Sequence, residues 1–221
     1  MPNPFDRLIE ACHHDWRAYI EHEFVRRLGD GSLPEASFRH YLEQDYLFLG
    51  HFARAWALAL YKSRDFDELR GAFDRLKTIV DLELGLHLDY CAQWGIDVAT
   101  LDALPETRAT LAYTRYVLDA GARGDLLELR VALAPCLVGY ARIGKWLASR
   151  AETRLEGNPY AAWIEMYTDD AYLSAASEEE AWLDQALAEQ PAKRIAELEV
   201  VFRDATRLEI DFWQMGLERH A

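Results

Sequence analysis

"SLPEASFRHYLEQDYLFLGHFARAWALALYK", residues 32–62, decides how the chain folds. Ser32, Leu33, Pro34 and Glu35 have the form of a capping box, and Pro34 suits the first turn of a helix. Behind them no strand-like alternation of apolar and polar residues appears, and the spacing predicts one long helix over 35–62. Within it Gln44, Asp45 and Phe48 fall on or near one face, beside Leu49 and Phe52. Asp45 thus stands at the edge of an apolar, aromatic stripe. A buried carboxylate must be paired or protonated, so Asp45 either caps a neighbouring helix, pairs with an arginine, or serves a ligand.

Outward from this helix the chain reads as helical almost throughout. Residues 5–28 carry apolar groups at helical spacing and end in the turn cluster GDGSLP. A helix is predicted from about Phe66 to Trp94, stopped by Gly95, and another over 105–120. Asp125 can cap one that reaches about Arg150 with Pro135 inside it. Asn158-Pro159 opens a sixth, through about Tyr172; SEEEAWLDQALAEQ, residues 177–190, is a seventh, with acids where the helix dipole favours them. The last runs over about 191–218. Connections are short, and there is no low-complexity linker and no repeat. The expectation is an all-α bundle of about eight helices, with residues 1–221 forming one domain.

Composition narrows the function classes. The 24 Lys and Arg face 38 Asp and Glu, for a net charge of −14. That argues against nucleic acid or anionic membrane as a partner and mildly favours cationic ligands. No apolar run is long enough to span a bilayer, and the opening MPNPFDRLIEACHHDW does not read as a secretory signal. The three cysteines, Cys12, Cys91 and Cys136, are odd in number and widely spaced. They read as free thiols of a cytoplasmic protein, and no zinc spacing occurs.

Four segments carry residues with chemical potential. In ALAPCLVGYARIGKW, residues 132–146, Pro135 either kinks a helix or begins one. In the second case Cys136 lies in a first turn, where N–H groups and the dipole favour its thiolate. Tyr140, four residues on, shares its face. Taken alone, a buried space-filling cysteine is the commoner arrangement. In ATRLEIDFWQMG, residues 205–216, Glu209 shares a face with Phe212 and Trp213, and an ion pair with Arg203 or Arg207 is the plain alternative. In residues 81–96 Glu83 and His87 stand at i, i+4; a structural hydrogen bond between them suits the spacing better than a metal. The paired Glu-x-x-His spacing of a di-iron bundle is absent, and the adjacent Cys12, His13 and His14 point apart on a helix. Tyr113, Tyr116, Tyr160, Trp163, Tyr167 and Tyr172 add aromatic residues that are commonly half-buried with a satisfied polar end.

Taken in order, QDYLFL (44–49), ELGLHLDYCAQWGI (83–96), AYTRYV (112–117), LAPCLVGYARIG (133–144), NPYAAWIEMY (158–167) and LEIDFW (208–213) resemble the TenA/thiaminase II family over nearly the whole chain. The combination of PCxxxY, WIxxY and ExxFW is the specific part. The resemblance implies the heme-oxygenase-like all-α bundle, usually a homotetramer, with neither metal nor haem as cofactor. It implies hydrolysis of aminopyrimidines from degraded thiamin, releasing hydroxymethylpyrimidine for thiamin salvage, with thiamin itself as a further substrate of some members. The family's nucleophilic cysteine falls on Cys136, its acid/base glutamate on Glu209 and its pyrimidine-binding aspartate on Asp45. Pocket aromatics fall on Tyr113, Tyr140, Tyr167 and Phe212. Phe48 stands where many members have tyrosine, which removes one hydroxyl from the pocket. A non-catalytic pyrimidine-binding or regulatory protein, and an oxygenase on the same fold, are the competing readings.

Overall fold

The computed structural model describes residues 3–218, so positions 1–2 and 219–221 of the expected 1–221 unit lie outside it. Every regular element in it is helical. The long helix over 35–62 forms as predicted (α4, Glu35–Lys62). Before it the single helix expected over 5–28 is three: α1 (Pro4–Ala11), α2 (His13–Ile20) and α3 (Glu23–Asp30). The chain leaves helical geometry at Cys12, with φ −124° and ψ 29°. His22 then restarts it by capping α3, its Nδ1 accepting from the Phe24 N–H at 3.2 Å.

After α4 come α5 (Phe66–Thr78), a π-helical turn (Ile79–Glu83) and α6 (Leu84–Gln93), one continuous helical run ended by Gly95 at φ 70°. The left-handed conformation there favours glycine. A short α7 (Val98–Asp102), capped by Asp97, was not legible in the pattern. Thr107 caps α8 (Arg108–Arg123), which begins three residues later than the sequence suggests. Asp125 caps α9 (Leu126–Ala134). A second π-turn (Pro135–Gly139) leads into α10 (Tyr140–Ala148). The sixth expected helix is only α11 (Ala161–Thr168), because Asp169 turns the chain and caps α12 (Asp170–Ala188). The last is α13 (Ala192–Glu218). The expected count of about eight becomes thirteen α-helical segments among the described residues, since short breaks and π-turns leave the apolar period nearly intact.

Helix α13 runs through the bundle and packs on α2, α4, α8 and α9. Helix α12 lies across α1 and α9, and α10 packs on α11. The interior is strongly aromatic: Trp56, Trp163, Trp213, Tyr41, Tyr113 and Tyr167 are fully buried. No helix among the described residues is long and apolar enough to cross a membrane.

Candidate active site

The second π-turn places Cys136. Pro135 has no N–H to donate to the carbonyl four residues earlier, and its ring crowds the preceding turn. The helix absorbs this by widening into one π-turn, and backbone dihedrals stay helical from Ala134 to Tyr140. Of the two alternatives, Pro135 inside a helix and not at its start is the one that forms: Cys136 lies in a continuous helical run, and the first-turn, dipole-stabilised thiolate does not arise. Burial pushes the thiol well above its ordinary pKa, and the nearby charges of Glu209, Glu83 and Asp45 push the same way.

Two tyrosines brace the widened turn. The Tyr19 hydroxyl donates to the Pro135 carbonyl at 3.0 Å, and the Tyr172 hydroxyl donates to the Leu137 carbonyl at 3.2 Å. Tyr19 comes this close because residue 139 is glycine: a Cβ there would stand 2.5 Å from Tyr19 Cε1. Both carbonyls flank Cys136, so the thiol's position is fixed from α2 and α12 as well as from its own helix.

The two sequence-flagged acids turn inward beside it. Glu209, on α13, is 1% exposed and accepts a 2.8 Å hydrogen bond from the Tyr113 hydroxyl of α8. It makes no ion pair with Arg203 or Arg207; Arg207 goes to Asp15 instead. Burial raises Glu209 to about 8; the Tyr113 hydrogen bond opposes the rise, and the Asp45 charge adds to it. Near neutral pH the carboxyl is therefore largely protonated.

Asp45, on α4, is buried without an arginine. Its Oδ2 accepts from the Tyr41 hydroxyl at 3.1 Å and lies 2.5 Å from His87 Nε2. The other ring nitrogen of His87, Nδ1, donates to the Glu83 backbone carbonyl at 2.7 Å. Burial disfavours a charged His87, but the Asp45 charge and hydrogen bond and the Glu83 carbonyl together raise its pKa. His87 thus sits between the Glu83 backbone carbonyl and the Asp45 carboxyl, bonded to both. With Oδ2 taken by Tyr41 and His87, donors on a ligand are left to Oδ1. The expected Glu83–His87 bond exists, but through the Glu83 carbonyl; the Glu83 carboxyl is free of it and is raised to about 7 by burial, against the lowering charge of His87.

Aromatic residues enclose these groups. Phe48 packs on Tyr113 at 4.9 Å between ring centroids and on Phe212 at 5.6 Å. Tyr140 packs on Tyr167 at 4.9 Å, and Tyr167 meets Tyr172 edge-on at 4.9 Å. The structure so brings together all eight residues singled out from sequence: Asp45, Phe48, Tyr113, Cys136, Tyr140, Tyr167, Glu209 and Phe212. Sequence reasoning missed Tyr41, His87, Tyr19 and Glu83's acid as members of the same cluster. The i, i+4 spacings of Tyr41 with Asp45 and of Glu83 with His87 were the available signals. Gln44, on the neighbouring face, is structural: its Oε1 accepts from the Thr107 N–H and the Thr110 hydroxyl at 2.8 and 2.7 Å.

No group of three or more His, Cys, Asp or Glu side chains among the described residues is arranged to hold a metal ion. The chain's one Glu-x-x-His, Glu10 to His13, straddles the break between α1 and α2, and His13 Nδ1 turns to the Glu10 carbonyl at 3.1 Å.

The all-helical bundle that encloses this thiol, these acids and the aromatic box has the heme oxygenase-like fold. A domain of unknown function from Shewanella denitrificans, described as having that fold, superposes with a TM-score of 0.74 at 16% identity, covering 98% of this chain and 93% of its own. The chain belongs to the TENA/THI-4/PQQC family, whose model matches residues 10–219. An aminopyrimidine aminohydrolase of Halalkalibacterium halodurans is 35% identical over 95% of this chain and 93% of its own length. The crystal structure of a TenA family transcription regulator from Silicibacter sp. TM1040 is 42% identical, with a TM-score of 0.90 over 97% of this chain and 96% of that one.

Proposed function

We propose that this chain is an aminopyrimidine aminohydrolase of the thiaminase II type, a hydrolase of C–N bonds that serves thiamin salvage. The observation that carries the reading is the convergence of Cys136, Glu209 and Asp45, from three separate helical runs, inside one aromatic enclosure. A passive binding pocket needs flat apolar walls and a hydrogen-bonding acid, but not a thiol beside a neutral carboxyl. The 35% identity to an aminopyrimidine aminohydrolase supports the same reading.

In this reading the pyrimidine ring lies between Phe48, Tyr113 and Phe212 on one side and Tyr140 and Tyr167 on the other. Asp45 Oδ1 takes the exocyclic amine, while His87 and Tyr41 hold the carboxylate in place. Cys136 adds to the ring as a thiolate, which interrupts aromaticity and weakens the exocyclic bond to the leaving amine. Glu209, protonated at rest, gives its proton to the departing nitrogen when the amine is bound neutral; an ammonium or a thiazolium departs as the neutral amine or thiazole and takes no further proton. As a carboxylate it then draws a proton from water, which adds at the exocyclic carbon; expulsion of the thiolate restores the ring. The resting thiol is protonated; it gives its proton to solvent as substrate binds, a loss that a cationic substrate among these acids favours electrostatically, and it regains one after expulsion from the ring.

Aminomethylpyrimidine is the substrate we assign first, with thiamin as a second. The protein works in the cytoplasm as a homotetramer, with no metal or organic cofactor. The exposed Phe66 and Phe73, at 79% and 50%, supply apolar surface for such an assembly. The likeness to a protein described as a transcription regulator favours a regulatory role less, because a net charge of −14 opposes DNA. The deciding measurement is hydroxymethylpyrimidine release by wild type and by Cys136→Ser. Loss of turnover by at least about a thousandfold is expected for a lost nucleophile; near-wild-type turnover sinks the assignment.

A further inference from the structure

A cleft of about 640 Å³ opens between the first π-turn with α6 and the pair α11–α12. Its lining includes five carboxylates, Asp81, Glu83, Asp89, Glu165 and Asp169, and no lysine, arginine or histidine. Two of these are occupied elsewhere: Asp81 accepts from Lys77 at 2.7 Å, and Asp169 caps α12. Asp89 and Glu165 are exposed at the rim and make no ion pair among the described residues.

Glu83 differs from the rest. It is only 6% exposed, and its carboxyl makes no hydrogen bond among the described residues. It lines the cleft, and yet its charge is felt by Cys136, Tyr167 and Tyr172 in the enclosure behind. Tyr172 has the same double position: it lines the cleft, and its hydroxyl bonds the Leu137 carbonyl beside Cys136. Glu83 and Tyr172 together form the partition between cleft and reactive centre. The Glu83 carboxyl has no hydrogen-bond partner among the described residues, and the His87 charge offsets its burial only in part; a cation in the cleft would supply the rest.

We infer that this cleft is the route by which substrate reaches Cys136, and that the Glu83 carboxylate is a binding subsite for the cationic substituent of the pyrimidine, a primary ammonium or a quaternary ring nitrogen. The inference rests on the reading of the chain as an aminopyrimidine hydrolase. The rim acids Asp89 and Glu165 attract the cation, and Glu83 receives it. The released alcohol is neutral and has no such anchor, so the subsite holds substrate more tightly than product.

The test compares two ligands that differ only in that charge: aminomethylpyrimidine, an ammonium, and hydroxymethylpyrimidine, which is neutral. Their Kd values are measured by calorimetry on full-length Cys136→Ser protein, which prevents turnover, with and without Glu83→Gln. The expected result is that Glu83→Gln weakens the ammonium ligand by roughly tenfold, as for one lost charge-assisted hydrogen bond, with the neutral ligand unchanged. An equal change for both ligands, or for neither, overturns the inference. Should Glu83→Gln fail to fold, the double variant Asp89→Asn, Glu165→Gln on the exposed rim replaces it. Association of the ammonium ligand alone should then slow severalfold in stopped flow, and unchanged kinetics would overturn the route. Because both ligands are read by binding, a wild-type chain without hydrolysis sinks the hydrolase reading while leaving this readout intact.

Discussion

Glu209 is the residue whose environment departs furthest from that of an ordinary surface acid. Burial raises it to about 8, and the Tyr113 hydroxyl holds it below where burial alone would place it. Tyr113→Phe removes that restraint, so the alkaline limb of the kcat profile should move to higher pH; a limb that stays in place separates Glu209 from the proton donor. The same burial has a thermodynamic sign. A carboxyl whose folded pKa lies above its unfolded value of about 4.3 stabilises the fold relative to its ionised form at low pH, and loses that contribution as pH rises to about 8. Glu209→Gln should accordingly gain Tm over wild type progressively across that window, while losing turnover. The acid faces of Asp45 and Glu209 were legible because each stands three or four residues from aromatics on an apolar stripe. Asp45's partner was not: His87 is 42 residues away in sequence, and only the meeting of α4 with α6 joins them.

At the scale of elements, the two π-turns do most of the positioning. Helix α5 buries only Ala72, whereas from the first π-turn onward Ile79, Glu83, His87, Tyr90 and Cys91 turn inward. The wider turn re-aims the helix face, as π-bulges at functional sites commonly do. The second holds Cys136 and is braced through the Pro135 and Leu137 carbonyls. Tyr19→Phe should cost about 1 kcal/mol of stability, the worth of one hydrogen bond. It should also lower kcat with little change in KM, since it touches the helix and not the ligand; an unchanged kcat would remove Tyr19 from the positioning apparatus. Away from the site, Arg130 of α9 bonds Glu179 of α12 through Nε and a terminal nitrogen at 2.8 and 2.5 Å, with its guanidinium 3.5 Å from the Trp182 ring centre. Glu179→Ala strands a buried charge and should cost about 3–5 kcal/mol in urea unfolding. The boundaries of α4 held, but the expected capping box did not form: Pro34 is itself the N-cap, without a side-chain cap bond, and stands before the first turn and not in it. Boundaries failed at Cys12 and at Asp169, where one residue breaks a run without disturbing its apolar period.

For the whole molecule, the net charge of −14 and the acidic cleft act together on a cationic ligand. Association of aminomethylpyrimidine should weaken as salt rises from about 0.01 to about 0.15 M, where the screening length falls from about 30 to about 8 Å. Hydroxymethylpyrimidine should show no such dependence, and equal salt sensitivity of the two would show that the field plays no part in recognition. The all-helical class, the long α4 and the reactive residue types were determined by the sequence itself, because helical periodicity and caps are local and survive in the one-dimensional pattern. The tertiary structure alone decided that Cys136 sits in a π-turn as a buried thiol, that His87 bonds Asp45, and that Glu83 stands between cleft and centre. Each of these depends on desolvation and on contacts between helices far apart in the chain, and neither quantity is encoded in the spacing of neighbouring residues.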